Sequence, residues 1–268
     1  MREDARRPRG IPLRAVVPNA VTALALCVGL SGVRFALDGK WDWAVGLIIL
    51  AGVLDGMDGR IARMLNGQSR FGAELDSLSD VIAFGVSPAI VVYLWCLHDL
   101  PRFGWLFALA YAVCAALRLA RFNANIDAEE QPHKSAGFLT GVPAPAAAGL
   151  MLLPVYMWMA SDREWDWLRE IGVVAPWSAL IAFLMISNIA TFSWTSLRLR
   201  SRVRLWVILM IALVGGALIT APWQTLSVVS LVYILMIPFS VASYARVRRQ
   251  RGGAPVQRPA PVQDGLQP

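Results

Sequence analysis

Stretches of mostly apolar residues recur along the chain, separated by short polar segments, at about 18–36, 43–65, 77–97, 103–122, 137–160, 174–194, 204–221 and 223–244. A helix of roughly 20 residues crosses the hydrocarbon core of a bilayer, and no segment alternates as a barrel strand does. The pattern predicts an all-α, polytopic membrane bundle of about eight transmembrane helices. Residues 1–17 form a basic N-terminal segment, residues 18–245 a single transmembrane domain, and residues 246–268 a basic tail that turns Pro- and Gln-rich and disordered from Gly252.

Composition agrees with this layout. Hydrophobic residues make up 57% of the 268 and charged residues 16%, against about 25% charged in a soluble domain. The net charge of +7 does not indicate nucleic acid, because the arginines are spread among the loops between apolar spans. The termini and the even-numbered loops hold all but five of the 25 basic residues, the five being Arg34, Lys40, Arg102, Arg163 and Arg169. By the positive-inside rule, both termini lie on the cytoplasmic side of the cell (inner) membrane. Cys27, Cys96 and Cys114 fall inside apolar spans and read as small buried hydrophobes, not a disulfide or a zinc site. Several tryptophans at span ends, Trp41, Trp43, Trp165, Trp167 and Trp177, read as an interfacial belt.

Residues 55–80 break the apolar pattern with four aspartates, Asp55, Asp58, Asp76 and Asp80. The first two are three apart and the last two four apart, so each pair shares one helix face. An acid at membrane depth costs roughly 2.5–3.5 kcal/mol on insertion scales and is seldom kept there without a task. Four oxygen donors without His or Cys suit Mg²⁺ or Mn²⁺, and they suffice for two divalent cations. Gly56, Gly59 and Gly72 leave backbone open beside the acids, and Arg63 offers a fork for phosphate. The plainer alternative pairs the acids with Arg60, Arg63 and Arg70 to pin an interfacial loop.

Written out, the stretch is D-x2-D-G-x2-A-R-x8-G-x3-D-x3-D, and it resembles the signature of the CDP-alcohol phosphatidyltransferase family. The resemblance implies a six-helix core, to which this chain adds two C-terminal helices, and usually a homodimer. It implies transfer of a phosphatidyl group from a CDP-linked lipid to an alcohol, with release of CMP. It also implies that Asp55, Asp58 and Asp76 are metal ligands, and that Asp80 both touches metal and acts as general base. Gly59, Ala62, Arg63 and Gly72 would shape the cytidine and diphosphate pocket. Pro18-Asn19-Ala-Val-Thr22 is similar to the family's first-helix motif, which makes Asn19 and Thr22 nucleotide contacts; as plain sequence, Asn19 is also a good helix cap.

Arg118-Leu-Ala-Arg121-Phe-Asn123 and Gly137-Phe-Leu-Thr-Gly141-Val-Pro143-Ala-Pro145 resemble the integral-membrane phosphatidylserine synthases within that family. The donor would then be CDP-diacylglycerol and the acceptor L-serine. Arg118 and Arg121 can hold a carboxylate, Asn123 an ammonium, and Lys134 a carboxylate or phosphate; ordinary anchoring at a helix end is the alternative. The same chemistry on glycerol 3-phosphate, inositol phosphate or choline is a sibling reading. A divalent-cation transporter would spread acids through the depth of several helices, whereas here they gather near one face.

Overall fold

The computed structural model describes residues 13–124, 138–187, 190–192 and 201–252. The described residues are helical, apart from short turns and one ladder of three residue pairs. Helix α1 (Leu13–Leu37) turns through Asp38–Lys40 into α2 (Trp41–Met64). Gly39 at φ +70° makes that turn, and Arg34 pairs with Asp38 at 2.6 Å. The hydrogen bond from Arg34 holds the Asp38 carboxyl below the usual carboxylate range. The two helices pack closely because α1 presents glycine to α2 and its neighbours. A Cβ on Gly32 would lie 2.8 Å from the Ala44 carbonyl oxygen, and one on Gly29 would lie 2.9 Å from the Ala83 Cβ.

Helices α3 (Arg70–Asp80) and α4 (Ser87–Trp95) are joined end to end by a π-helical segment, Val81–Val86. The hydropathy pattern starts this span at about 77, but the helix begins seven residues earlier. Ser69 caps it, its Oγ accepting from the Gly72 N–H at 3.0 Å. Helix α5 (Gly104–Ala124) follows, with Tyr111, Ala115 and Leu119 on its buried face.

The fifth predicted span, 137–160, is not one helix. It opens as strand β1 (Phe138–Thr140), passes Gly141 at φ +72°, and then forms α6 (Ala144–Met151) and α7 (Leu153–Ala160). Pro154 explains the interruption at Leu152, because it has no N–H for the Leu150 carbonyl. Trp177 supplies the missing donor, its Nε1–H reaching Leu150 O at 2.8 Å. Trp177 thereby ties α8 to the end of α6. The sixth predicted span ends early: α8 covers Ile171–Ile186, and Ala190–Phe192 forms strand β2, antiparallel to β1. Helices α9 (Ser201–Thr220) and α10 (Pro222–Gly252) complete the chain.

Among the described residues, four helical segments are long and apolar enough to cross a membrane: Val16–Leu37, Arg70–Trp95, Gly104–Ala124 and Pro222–Val241. Ile171–Ile186 and Leu205–Thr220 are shorter apolar helices. Apolar residues point outward over much of the surface, including Leu205, Trp206, Leu209, Ile211 and Leu213 on α9. In water such a surface would aggregate, so this is a membrane protein.

The main core brings together Val45 and Ile48 of α2, Val92 and Trp95 of α4, Tyr111 of α5, Tyr156 of α7 and Ile181 of α8. A smaller cluster of Ala51, Ala83, Phe84, Leu119, Ala144 and Ala148 lies next to the acids in sequence, Ala51 being one turn before Asp55. At the other end of α2, Asp42 pairs with Arg163 at 2.8 Å. Thirteen residues of helix separate Asp42 from Asp55, about 20 Å. Arg163 also stacks on Trp158 at 5.4 Å, and Arg169 sits 5.3 Å from Trp158 and 5.7 Å from Trp95. The mixed-charge loop 162–170 thus clasps the ends of α4 and α7 through arginine–tryptophan contacts. Of the three cysteines, Cys96 is buried, Cys114 is half-buried, and Cys27 is exposed on α1, contrary to the expectation of three buried thiols. All three are free.

Candidate active site

Three of the four signature carboxylates meet. Asp55 on α2 and Asp76 and Asp80 on α3 each place an oxygen within 4.8 Å of the others. Asp76 and Asp80 are one turn apart on α3, and α1 packs against both α2 and α3. Asp58 stands outside this group of three but lines the same cavity as Asp76. It is 5% exposed, and its Oδ2 accepts from the Thr22 Oγ1–H at 2.5 Å. Ser79 in turn donates to the Thr22 carbonyl at 3.3 Å, so α1 is tied to both α2 and α3 at this level.

No ion pair among the described residues involves any of the four acids. Arg63 instead donates through Nε to the Gly59 carbonyl at 3.0 Å. The alternative in which arginines pin the acids as a loop anchor therefore finds no contact to rest on. Asp80 Oδ1 is buried without a hydrogen-bond partner, and so is Arg118 Nε, whose guanidinium lies in electrostatic reach of Asp80. Three converging carboxylates repel one another, and an unpartnered buried carboxylate oxygen costs free energy. A hard divalent cation answers both, and an all-oxygen donor set fits Mg²⁺ or Mn²⁺.

Beside the acids lies a cavity of about 620 Å³. Pro18, Asn19 and Thr22 of α1 line it, with Asp58, Gly59, Ala62 and Arg63 of α2, and Gly72, Ala73 and Asp76 of α3. Its volume is in the range of small-molecule and cofactor sites. Next in sequence to the lining residues Arg63 and Gly72, Met64 is 82% exposed and Phe71 68%. The two glycines differ in purpose. A Cβ on Gly59 would meet nothing within 4 Å, so the backbone there is open. A Cβ on Gly72 would lie 2.7 Å from Asn19 Oδ1 and 3.1 Å from Ser69 Oγ. Gly72 is needed for the close approach of α1 to α3, and it holds Asn19 in the cavity wall. Gly72→Ala is accordingly expected to raise KM for the donor about tenfold, with kcat less affected, as measured by initial rates over a donor titration.

The candidate acceptor residues do not form one cluster. Arg118 faces the interior beside Asp80. Arg121 donates through Nη1 to the Ile186 carbonyl at 3.1 Å and so joins α5 to α8. Asn123 donates through Nδ2 to Ser77 Oγ at 2.9 Å, one residue from Asp76. Lys134 lies outside the described residues. Gln68, Ser69 and Arg70 also line the cavity, which the motif spacing did not indicate. For Ser69 a signal was present: a serine three residues before Gly72, opening an amphipathic run, has the spacing of an N-cap.

Comparison with known proteins agrees with this geometry. The family model described as CDP-alcohol phosphatidyltransferase matches residues 15–186, and that described as CDP-alcohol phosphatidyltransferase 2 matches residues 202–238. A CDP-diacylglycerol–serine O-phosphatidyltransferase of Mycobacterium tuberculosis is 37% identical over 89% of this chain and 82% of its own length. A protein of that name from Helicobacter pylori is 31% identical over 81% of this chain and 87% of its own. Another, from Bacillus subtilis, is 35% identical over 51% of this chain and 73% of its own. With the signature intact from Asp55 to Asp80 and the match running through the helices that carry it, the chain belongs to the CDP-alcohol phosphatidyltransferase family.

Proposed function

We propose that the protein transfers the phosphatidyl group of CDP-diacylglycerol to the hydroxyl of L-serine, giving phosphatidylserine and CMP. The observation that carries this is the meeting of Asp55, Asp76 and Asp80 beside a cavity walled by the other signature residues. The relatives named as serine enzymes favour serine as the acceptor.

In this reading the cytidine diphosphate lies in the cavity against the open backbone at Gly59, with Arg63 near its phosphates. Asp80 takes the proton of the serine hydroxyl as its oxygen bonds to the β-phosphorus, and the bond from that phosphorus to CMP breaks. Asp55, Asp58, Asp76 and Asp80 would hold two divalent cations, Mg²⁺ or Mn²⁺, which neutralise charge on the diphosphate. Thr22 keeps Asp58 oriented through their hydrogen bond. Arg118, buried beside Asp80, receives the serine carboxylate.

The same reading includes eight membrane passes, both termini and the site on the cytoplasmic side of the inner membrane, and assembly as a homodimer. Basic residues concentrated on the acidic side support the orientation, and the family resemblance supports the dimer.

The test is CMP release by purified protein in detergent, with CDP-diacylglycerol, Mn²⁺ or Mg²⁺, and each acceptor offered separately. Serine-dependent release that stops on chelation is the expected result. Turnover with glycerol 3-phosphate, inositol phosphate or choline in place of serine discards the serine assignment. Absence of turnover with every acceptor, from folded and metal-supplied protein, discards the transferase reading for this site.

A further inference from the structure

The helix that carries Asp80 changes character at the very next residue. From Val81 to Val86 it is π-helical, and the Ser87 N–H bonds to the Ile82 carbonyl five residues back. The cause is legible in Pro88. A proline has no N–H for the carbonyl four residues earlier, and its ring collides with that carbonyl in an α-helix. Here that carbonyl belongs to Phe84. Widening the turns between Asp80 and Ser87 relieves the collision, and the Phe84 oxygen takes a donor from another helix. Tyr111 of α5, 0% exposed, donates its hydroxyl to Phe84 O at 3.0 Å. The same device serves Pro154, whose orphaned Leu150 carbonyl is met by Trp177.

Only the first of these two sites adjoins the acids. One residue after the Tyr111 bond, Gly85 brings the π-segment against α5, where a Cβ would lie 2.9 Å from the Ala115 Cβ. Arg118 follows Tyr111 by two turns on the same helix face. One face of α5 therefore grips the segment just beyond Asp80 and carries the guanidinium in electrostatic reach of its carboxylate. A π-turn adds one residue, equivalent to about 100° of helix rotation, to the register between α3 and α4. It thereby sets which way Asp80 faces while α4 remains packed in the core.

We propose that Tyr111 is a positioning residue for the reaction: by holding the Phe84 carbonyl that Pro88 leaves without an N–H, it fixes the geometry of the π-turn that aims the Asp80 carboxylate at the acceptor hydroxyl. This rests on the reading of Asp80 as proton acceptor. Tyr111 touches no substrate, and its action passes through the backbone.

The experiment compares Tyr111→Phe, Pro88→Ala, their double variant and Asp80→Asn in the full-length protein. Each is assayed for kcat and KM with both substrates, for Mn²⁺ binding by electron paramagnetic resonance, and for thermal unfolding. Tyr111→Phe removes one oxygen and is expected to lower kcat about tenfold, with both KM values within about twofold, because a misdirected base costs rate more than binding. Mn²⁺ affinity should weaken several-fold. Pro88→Ala restores the N–H, lets the segment close to α-helix, and should cost more than Tyr111→Phe. The double variant should be no worse than Pro88→Ala alone, since both act on one turn.

Tyr111→Phe with kcat within twofold of the parent overturns the proposal, as do additive effects in the double variant. A loss of rate that appears only with a matching loss of thermal stability, with Mn²⁺ affinity unchanged, also overturns it in favour of simple packing. Should Tyr111→Phe not fold, Pro88→Ala alone decides, and full activity there overturns the idea. Turnover retained by Asp80→Asn would sink the Asp80 reading itself, a result separate from any of these.

Discussion

Replacing Asp80 by asparagine is expected to lower kcat by at least about 10³-fold, the largest effect of any single substitution in this protein. Asparagine keeps the size and one acceptor oxygen but cannot take a proton. The surroundings leave no substitute. The nearest carboxylates, Asp55 and Asp76, share the same 4.8 Å cluster and are the oxygens best placed to hold cations. No histidine among the described residues is near, since His98 pairs with Asp99 beyond the far end of α4, and His133 lies outside the described residues. Single-turnover release of CMP on mixing with serine is the measurement. Donor binding, followed separately by displacement of labelled CDP-diacylglycerol, should change far less. An Asp80→Asn variant that turns over within tenfold of the parent would remove Asp80 from the role of base.

The second large effect is expected at Arg118. Arg118→Met preserves most of the buried stem and removes the charge. KM for serine should rise by about 30-fold or more, while KM for CDP-diacylglycerol stays within about threefold, as a charge-assisted contact in a dry site is worth about 2 kcal/mol or more. The argument is positional. Arg121 and Asn123 already bond the Ile186 carbonyl and the Ser77 hydroxyl, whereas Arg118 Nε and Asp80 Oδ1 are both buried without partners. A serine molecule between them offers a hydroxyl to one and a carboxylate to the other. Equal increases in both KM values would instead assign Arg118 to the donor, and an unchanged serine KM would return it to anchoring. Initial rates over a two-substrate grid separate these outcomes.

The acidic centre was legible from sequence because helical arithmetic is local: residues four apart share a face whatever surrounds them. Asp76 and Asp80 obey this directly. Asp58 does not join the cluster of three because its partner, Thr22, comes from a helix 36 residues away, and no pattern within α2 reveals it. The helix limits tell the same story. Gly67-Gln-Ser69 reads as loop, and the helix beginning at Arg70 depends on one capping hydroxyl. The broken fifth span and the π-turn both trace to a proline just after them, visible in sequence, but their outcome depends on Trp177 and Tyr111, each 27 residues from the carbonyl it serves. Along the sequence, loop 162–170 shows mixed charge; Trp95 and Trp158 beneath its arginines come from elements outside it. What sequence conceals here is not helix propensity but which side chain crosses to which backbone.

Met64 and Phe71, bare and next in sequence to the lining residues Arg63 and Gly72, have a consequence for how rates depend on amount. On the proposed function, a diacylglycerol-bearing donor would reach these side chains from within the bilayer, and the encounter would take place in two dimensions. The quantity that saturates the enzyme is then the fraction of donor among surrounding amphiphiles, not moles per litre. Adding detergent at fixed donor dilutes the surface and slows turnover, although nothing in the bulk solution has changed.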